Sequence, residues 1–336
     1  MLTHGNIVAN TQSICECQGL TESDIHMVVL PFFYVMGKSL LNTHIAAGGT
    51  VVLNNRFAYP AAVLKQMVDE AVTGFSGVPS TYAFLLHRSP LKDYGSKLPA
   101  LRFCAQAGGH MARALKRKLR KILPDHTQLF IMYGATEGSA RFTFLDPDYV
   151  DRKIDSIGKP IPGVHITIRD EKDRAVEAGQ TGELNASGPN VMAGYWKDNH
   201  TSAKVLGPFG YRTGDMGYAD EDGFLYITGR KDQTVKVGGH RINIQEVEDL
   251  LMETDLVVES AVIGKTDDLM GNRLYALVVY KDARVDESLL LSACNRSMPK
   301  HKIPTLFLPV NALPKNAHGK IDRTKCKQLI DALSTK

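Results

Sequence analysis

The 336-residue chain has no apolar run approaching the roughly 20 residues that a helix needs to cross a bilayer. That absence argues against an integral membrane segment. The opening residues, MLTHGNIVAN, lack a basic stretch followed by an apolar core, so no secretory signal is read there. Cysteine is scarce: Cys15, Cys17, Cys104, Cys294 and Cys326 are five, an odd number, and scattered. The C-x-C of Cys15 and Cys17 is too short for the usual redox pair and has no second pair to complete a zinc site. All five are read as reduced thiols, and the expected address is the cytoplasm. A dominant charge is missing too. Lys plus Arg number 40 and Asp plus Glu 36, a formal net charge of +4, which calls for neither nucleic acid nor a membrane surface. Internal repeats and low-complexity tracts are also lacking.

What is present reads as a layered α/β protein of about two domains by length. Met27–Phe33, Thr50–Asn55, Leu101–Gln106 and Leu129–Gly134 are short apolar runs suited to buried parallel strands. Helical stretches such as Pro60–Val72 and Arg113–Leu123 lie between them, the alternation expected of an α/β domain over residues 1–148. Residues 149–230 are richer in Gly, Pro and β-like runs, with Asp222-Gly223 as a hairpin signal, and read as a small β-rich subdomain. Residues 231–336 read as a separate α+β domain, with helices over Ile244–Thr254 and DESLLLSACNRSM and strands over VVESAVIG and RLYALVVYK. The basic stretch Arg113–Leu123 carries Leu115, Leu119 and Ile122 on one face and reads as a solvated outer helix.

The strongest local signal is YGATEGS, Tyr133–Ser139, directly after an apolar strand. In open α/β sheets the carboxyl edge of the strands is where ligands bind. An aromatic ring can pack on a purine there, a threonine can donate to a phosphate, and a glutamate can hold Mg2+ beside phosphates. A plain strand–turn with a solvated glutamate would fit the seven residues as well. The Gly-Lys-Ser within Leu30–Ser39 is not a phosphate loop of the Walker type, because Phe32 stands where that motif needs glycine.

Four further segments follow YGATE in order: GELNASGPNVMAGYW (Gly182–Trp196), YRTGDMGY (Tyr211–Tyr218), GFLYITGRKDQTVKVGGHRIN (Gly223–Asn243) and PKNAHGKIDR (Pro314–Arg323). Together the five resemble the ordered motif set of the adenylate-forming superfamily, which includes acyl-CoA synthetases, aryl-acid ligases, luciferases and peptide-synthetase adenylation domains. The resemblance runs from Met1 to Arg323. It implies an AMP-forming carboxylic acid–thiol ligase: ATP, a fatty or aryl acid and CoA give acyl-CoA, AMP and pyrophosphate through an acyl-adenylate. ATP or AMP, Mg2+ and CoA are the implied cofactors, and a carrier-protein thiol stays open as acceptor.

The same resemblance carries roles onto matching positions. Tyr133 stacks on adenine, with Gly134 and Ala135 beside it. Gly108 and Gly109 let the backbone approach the nucleotide. Thr136 contacts the α-phosphate, and Glu137 binds Mg2+. Asp215 accepts the ribose hydroxyls, Arg230 supports ribose and phosphate, and Ile227 packs beside the adenosine. Lys320 is the mobile catalytic lysine, and Asp232 is the hinge about which the C-terminal domain swings. Lys236, Gly238 and Gly239 face the site in the thiol-transfer step, with a tight hairpin bearing an exposed base as the alternative reading. Tyr34 and Val78 line the acyl pocket. No aspartate occurs between Leu30 and Ser39, which favours an acid without an α-amino group.

In one respect the sequence departs from the pattern. Met1–Asn6 resembles the strand and Thr-His-x-Asn that trail the family's phosphate-gripping loop, and no other Ser/Thr/Gly-rich loop with a lysine follows. The expectation is a chain without that loop and the subdomain before it, weak in ATP binding and with apolar sheet surface uncovered. Two readings stay open: an acid–thiol ligase of which this chain is a fragment or one half, completed by an N-terminal half in trans, and a non-catalytic nucleotide- or acyl-adenylate-binding remnant.

Overall fold

The computed structural model describes residues 1–231, 234–316 and 320–333. Two compact units are present: Met1–Met111 with Lys116–Ile227, and Ala112–Leu115 with Thr228–Lys336.

The first unit is built on a seven-stranded sheet of order β2-β1-β3-β4-β5-β6-β7. Its strands are β1 (Ile25–Val28), β2 (Thr50–Leu53), β3 (Gly74–Gly77), β4 (Phe103–Gln106), β5 (Gln128–Tyr133), β6 (Thr143–Leu145) and β7 (Lys159–Pro160). The first five pair in parallel, while β6 and β7 run antiparallel. Helices α1 (His4–Gln18), α2 (Val35–Ala46), α3 (Pro60–Asp69), α4 (Pro79–Arg88), α5 (Leu91–Tyr94) and α6 (Arg113–Ile122) complete the α/β layering. Thr3 caps α1 by accepting from the Asn6 amide, and Asn6 reciprocates toward the Thr3 amide. Met1–Asn6 therefore holds no strand of the sheet; the Thr-x-x-Asn spacing serves as a helix start instead.

Two of the apolar runs differ from expectation. The first strand ends at Val28, because Pro31 begins a turn whose carbonyl accepts from the Tyr34 amide at 3.1 Å. Thr50–Leu53 is a strand, but it stands at the sheet edge with Leu53 56% exposed, so its apolar content does not mark burial. Elsewhere the core is as the pattern requires: Met27, Phe75, Phe103, Leu129 and Ile131 are buried. Tyr82 of α4 is fully buried and donates its hydroxyl to the Ala105 carbonyl at 2.9 Å, tying helix to strand. In α6, Leu115 and Leu119 face inward as expected, and Lys116 is buried with them, its ammonium donating to the Ile154 carbonyl at 2.6 Å.

A second, antiparallel sheet of the first unit contains β8 (His165–Arg169), β9 (Gly182–Ser187), β10 (Leu206–Gly207) and β11 (Gly210–Ala219) in the order β10-β11-β9-β8, with α7 (Asn199–Val205) preceding β10; β12 (Leu225–Arg230) pairs with β11. The Asp222-Gly223 turn between the last two strands is the hairpin the dipeptide signals.

The second unit opens with the hairpin β13 (Thr234–Val237) and β14 (His240–Asn243). Helix α8 (Ile244–Glu253) leads to a three-stranded sheet of β15 (Val257–Asp267), β16 (Gly271–Tyr280) and β17 (Leu306–Pro309), with α9 (Glu287–Ser297) and α10 (Arg323–Leu333). Its core is Ile242, Val247, Leu251, Val262, Ala276 and Leu290 with their neighbours. Glu248 is buried there and accepts both Arg323 Nη1 and Nη2, at 2.8 and 2.9 Å, and the Val262 amide at 2.8 Å. Burial pushes the Glu248 carboxyl up, and the guanidinium pulls against that rise.

Candidate functional site

The strand order β2-β1-β3 reverses the chain direction of growth between β1 and β3, and ligands of open α/β sheets bind outside the carboxyl ends near such a point. The sequence candidates of the first unit fall on this edge. Tyr34 follows β1, Val78 follows β3, Gly108 follows β4, and Gly134–Glu137 follows β5.

Tyr34, Val78 and Gly108 meet. Gly108 has φ +82°, and a Cβ there would stand 2.6 Å from the Tyr34 hydroxyl and 3.2 Å from Val78 Cγ1, so only glycine fits. Tyr34 and Val78 are both buried. Gly109 is under no such constraint, since its Cβ would meet only Pro79 at ordinary contact distance. Its carbonyl accepts from the buried Gln106 amide at 2.8 Å, which holds the loop to the strand end.

The YGATE segment is shaped by contacts with distant residues. The Tyr133 hydroxyl donates to Asp215 Oδ2 at 2.6 Å, joining positions 82 apart in the chain. The Asp215 amide donates to Thr213 Oγ1 at 3.0 Å, and that hydroxyl donates to the Leu184 carbonyl at 2.9 Å, so the carboxylate is anchored to β9. Burial and the adjacent Asp215 carboxylate hold the Tyr133 phenol well above its ordinary pKa, so it stays a donor at neutral pH. Ile227 packs in the same apolar cluster as Tyr133, with Ile168, Leu184 and Leu225. Tyr133, Asp215 and Ile227, the expected adenosine side, are thus brought together.

Thr136 and Glu137 form a short 3-10 turn after the strand, with Thr136 exposed and Glu137 half-buried. The Tyr195 hydroxyl donates to Glu137 Oε1 at 2.7 Å, and the Met192 amide donates to the Glu137 carbonyl at 2.7 Å. Desolvation and the Glu137 carboxylate push the Tyr195 phenol up to about 12. The donor set suits Mg2+, which is bound by one or two carboxylates together with substrate phosphates rather than by an all-protein cage. No cluster of three or more His, Cys, Asp or Glu able to hold a metal exists among the described residues.

Sequence reasoning missed the residues that hold this loop in place. Ser139 and Ala140 both have positive φ, +57° and +118°. Such backbone costs about 1–3 kcal/mol per residue and persists only where its surroundings enforce it. Here Asn190 donates to the Gly138 and Arg141 carbonyls at 3.0 and 2.9 Å, and Asn10 of α1 exchanges bonds with the Arg141 carbonyl and amide at 2.8 and 3.2 Å. Gly134 must be glycine because a Cβ would lie 2.1 Å from the Ala140 carbonyl oxygen. Asn190 and Tyr195 lie inside a recognised motif, but nothing local tells that their partners are at 137–141.

The remaining candidates lie on the second unit. Arg230 is exposed at the end of β12. Lys236 is exposed on β13, and Gly238-Gly239 forms the turn to β14 with φ +54° and +84°, the tight hairpin that the residues alone allowed. The Gly238 amide donates to the Met270 carbonyl at 2.8 Å, and Asn272 donates to the Lys236 carbonyl at 2.9 Å, fastening the hairpin to its own unit. Lys320 is exposed; its carbonyl accepts from the Asn316 amide at 2.9 Å, and its amide donates to Asn316 Oδ1 at 3.1 Å. Asp232 lies outside the described residues.

The family model for AMP-binding enzymes matches residues 1–196, and that for the AMP-binding enzyme C-terminal domain matches residues 246–320. The chain belongs to the AMP-binding enzymes. Like its relatives in that adenylate-forming superfamily, this AMP-binding enzyme carries the α/β architecture with a C-terminal domain. It is 32% identical to the 2-succinylbenzoate–CoA ligase of Bacillus cytotoxicus over 332 residues, 98% of this chain and 67% of that protein. The solved o-succinylbenzoate CoA synthetase of Bacillus subtilis, in complex with its acyl-adenylate intermediate, is 31% identical with a TM-score of 0.84, over 97% of this chain and 65% of that one. An anthranilate CoA ligase bound to anthranoyl-AMP is 25% identical with a TM-score of 0.90, over 100% of this chain and 65% of that one. The chain thus spans about two thirds of the length of the relatives it matches. Among the described residues no helix is long and apolar enough to cross a membrane.

Proposed function

We propose that this protein activates an aromatic or other organic carboxylic acid as its acyl-adenylate and passes the acyl group to CoA. The observation that carries the reading is the 2.6 Å bond from Tyr133 to Asp215, which joins the end of β5 to β11 next to the turn that holds Thr136 and Glu137. The names of the relatives, CoA ligases of succinylbenzoate and anthranilate, support an aryl acid and CoA.

In this reading Tyr133 and Ile227 bracket the adenine, and Asp215 accepts from the ribose. Gly108 admits the nucleotide to the backbone, with Gly109, Gly134 and Ala135 alongside, and Thr136 donates to the α-phosphate. Glu137 would hold Mg2+ together with the phosphates, and the ion would supply neutralisation of part of their charge. Tyr34 and Val78 face the acyl group. Lys320 and Arg230 supply positive charge where the attacking carboxylate and the phosphate accumulate negative charge, the kind of placement that lowers such barriers most. Lys236, Gly238 and Gly239 serve thiol transfer, and residues from 231 onward move as a domain about Asp232. A Ser/Thr/Gly-rich lysine loop, on this or a second polypeptide, grips the leaving pyrophosphate.

The test is titration of the protein with AMP, followed by hydroxylamine trapping of acyl-adenylate from ATP, Mg2+ and a panel of aryl acids. Saturable AMP binding and an acyl hydroxamate with at least one acid are expected. Protein that neither binds AMP nor forms a hydroxamate would refute the reading.

A further inference from the structure

The carboxylate suited to the metal has an uncharged partner. Glu137 is half-buried, and among the described residues no Lys, Arg or His pairs with it. The Tyr195 hydroxyl donates to Oε1 at 2.7 Å, and Oε2 carries no hydrogen bond among the described residues. A lysine or arginine in the place of Tyr195 would compete with a divalent cation for the charge of the carboxylate. A phenol holds one oxygen and leaves that charge in place. Desolvation and the Glu137 carboxylate push the phenol up to about 12, so it remains a donor at neutral pH.

Tyr195 is itself held from several sides. Its amide donates to Ser202 Oγ at 2.7 Å, and that hydroxyl donates to the Asp198 carbonyl at 2.7 Å, just before α7. Its ring packs against the apolar cluster of Phe142, Ile161, Met192 and Tyr211, and the buried Tyr211 of β11 hydrogen-bonds its hydroxyl. The same segment grips the backbone on either side of Glu137. The Met192 amide donates to the Glu137 carbonyl at 2.7 Å, Asn190 donates to the Gly138 carbonyl at 3.0 Å, and Ser139 Oγ donates to the Asn190 carbonyl at 2.8 Å. Those bonds already close the loop. A further tie between a phenol and a carboxylate adds a desolvation cost to the fold, which points to a use for the orientation it gives Glu137.

We propose that Tyr195 is a positioning residue for the metal: its hydroxyl holds Glu137 Oε1 so that Oε2 is left to the divalent cation that accompanies the nucleotide phosphates. The proposal rests on the nucleotide-binding reading above and adds a residue to it. Groups that orient a metal ligand from behind set its direction, and their loss typically costs about 10–100-fold in metal affinity. Tyr195 has no part in holding adenosine, so its removal separates the metal from the nucleoside.

The experiment is calorimetric titration of the full chain with AMP in the absence of metal, and with α,β-methylene-ATP with and without Mn2+. The quantity read is the factor by which Mn2+ strengthens binding of the methylene-ATP. In Tyr195→Phe, which keeps the ring in its cluster, that factor should fall about 10-fold or more while metal-free AMP affinity stays unchanged. Glu137→Gln should abolish the factor, and adding Tyr195→Phe to it should cost nothing further, since the phenol acts through the carboxylate. An unchanged Mn2+ factor in Tyr195→Phe, or an equal weakening of metal-free AMP, overturns the proposal. Wild-type crystals with Mn2+ and methylene-ATP read it even where the variant fails to fold. Anomalous density for Mn2+ at Glu137 Oε2 with Tyr195 still on Oε1 is expected, and a phenol displaced from the metal-bound carboxylate overturns the proposal. AMP binding with no strengthening of methylene-ATP by Mn2+ also overturns it and leaves the nucleotide-binding reading standing. Absence of AMP binding removes both readings together.

Discussion

The two units carry their candidate residues in opposite ways. In the first, Tyr133, Asp215, Glu137, Gly108 and Tyr34 are buried or half-buried, and several are bonded to one another or to groups far away in the chain. In the second, Arg230, Lys236, Gly238, Gly239 and Lys320 are exposed, on a strand end, a hairpin and a loop. A site that must recognise a nucleotide gains from rigidity, since groups already held in place lose little entropy on binding. Groups that must arrive at separate steps gain from exposure and from a compact unit of their own. Under the proposed function, the contrast corresponds to binding in the first unit and delivery in the second, and each side of it can be broken separately.

The largest effect should come from the second unit's own core. Glu248→Ala leaves Arg323 without its bidentate partner and should destabilise that unit by about 3–5 kcal/mol. Denaturant unfolding followed by a probe in each unit would read this, with the first unit's AMP affinity unchanged if the division holds. Next, Lys320→Ala should lower acyl-adenylate formation by roughly 10²–10³-fold. Because Lys320 is exposed, the melting temperature should not move, and a loss of folding instead of rate would contradict the delivery role.

On the binding side, Asp215→Ala should weaken AMP by about 1.5–3 kcal/mol, the value of hydrogen bonds to a charged group. It would also strip Tyr133 of its acceptor; calorimetry showing unchanged AMP affinity would remove Asp215 from the site. The smallest effect concerns pH. His26 and His44 lie buried in the first unit with ring centroids 4.4 Å apart, and both nitrogens of His26 and Nε2 of His44 lack hydrogen-bond partners among the described residues. Desolvation, with His44 close by, holds His26 well below its ordinary pKa, and desolvation also lowers His44. Unfolded imidazoles take up protons near pH 6.5, so the unfolded chain binds more protons below that value. Stability is therefore full above about pH 6.5 and falls as the pH drops through it toward the lower folded values. In His26→Leu the dependence should flatten; equal acid sensitivity in both proteins would assign it to other groups.

Much of the first unit was legible because its signals are local. The strands β4 and β5 and the helix α6 between them follow from apolar runs and helical spacing, which report burial directly when a sheet is covered on both faces, while the short, glycine-bounded β3 (Gly74–Gly77) carries too few apolar residues to be read as a strand. The same reasoning overran β1 into the Pro31 turn and took the edge strand β2 for a buried one, because an apolar run does not tell which strand lies outermost. The YGATE, RTGD and TGRKD segments were legible as family motifs. Arg141, Asn10, Asn190 and Tyr195 were not, since their importance lies in contacts 49 to 131 residues distant.

By itself the sequence determined the order of elements, the AMP-binding motif set, and the residue types available for nucleotide, metal and acid. Those depend on short-range periodicity and on which side chains exist at all. Only the tertiary structure decided that Asp215 is the carboxylate that meets Tyr133, that Tyr195 holds Glu137, and that Lys116, His26 and Arg141 lose their water. Desolvation of a charge is set by whatever distant segments close over it, and no local pattern records that.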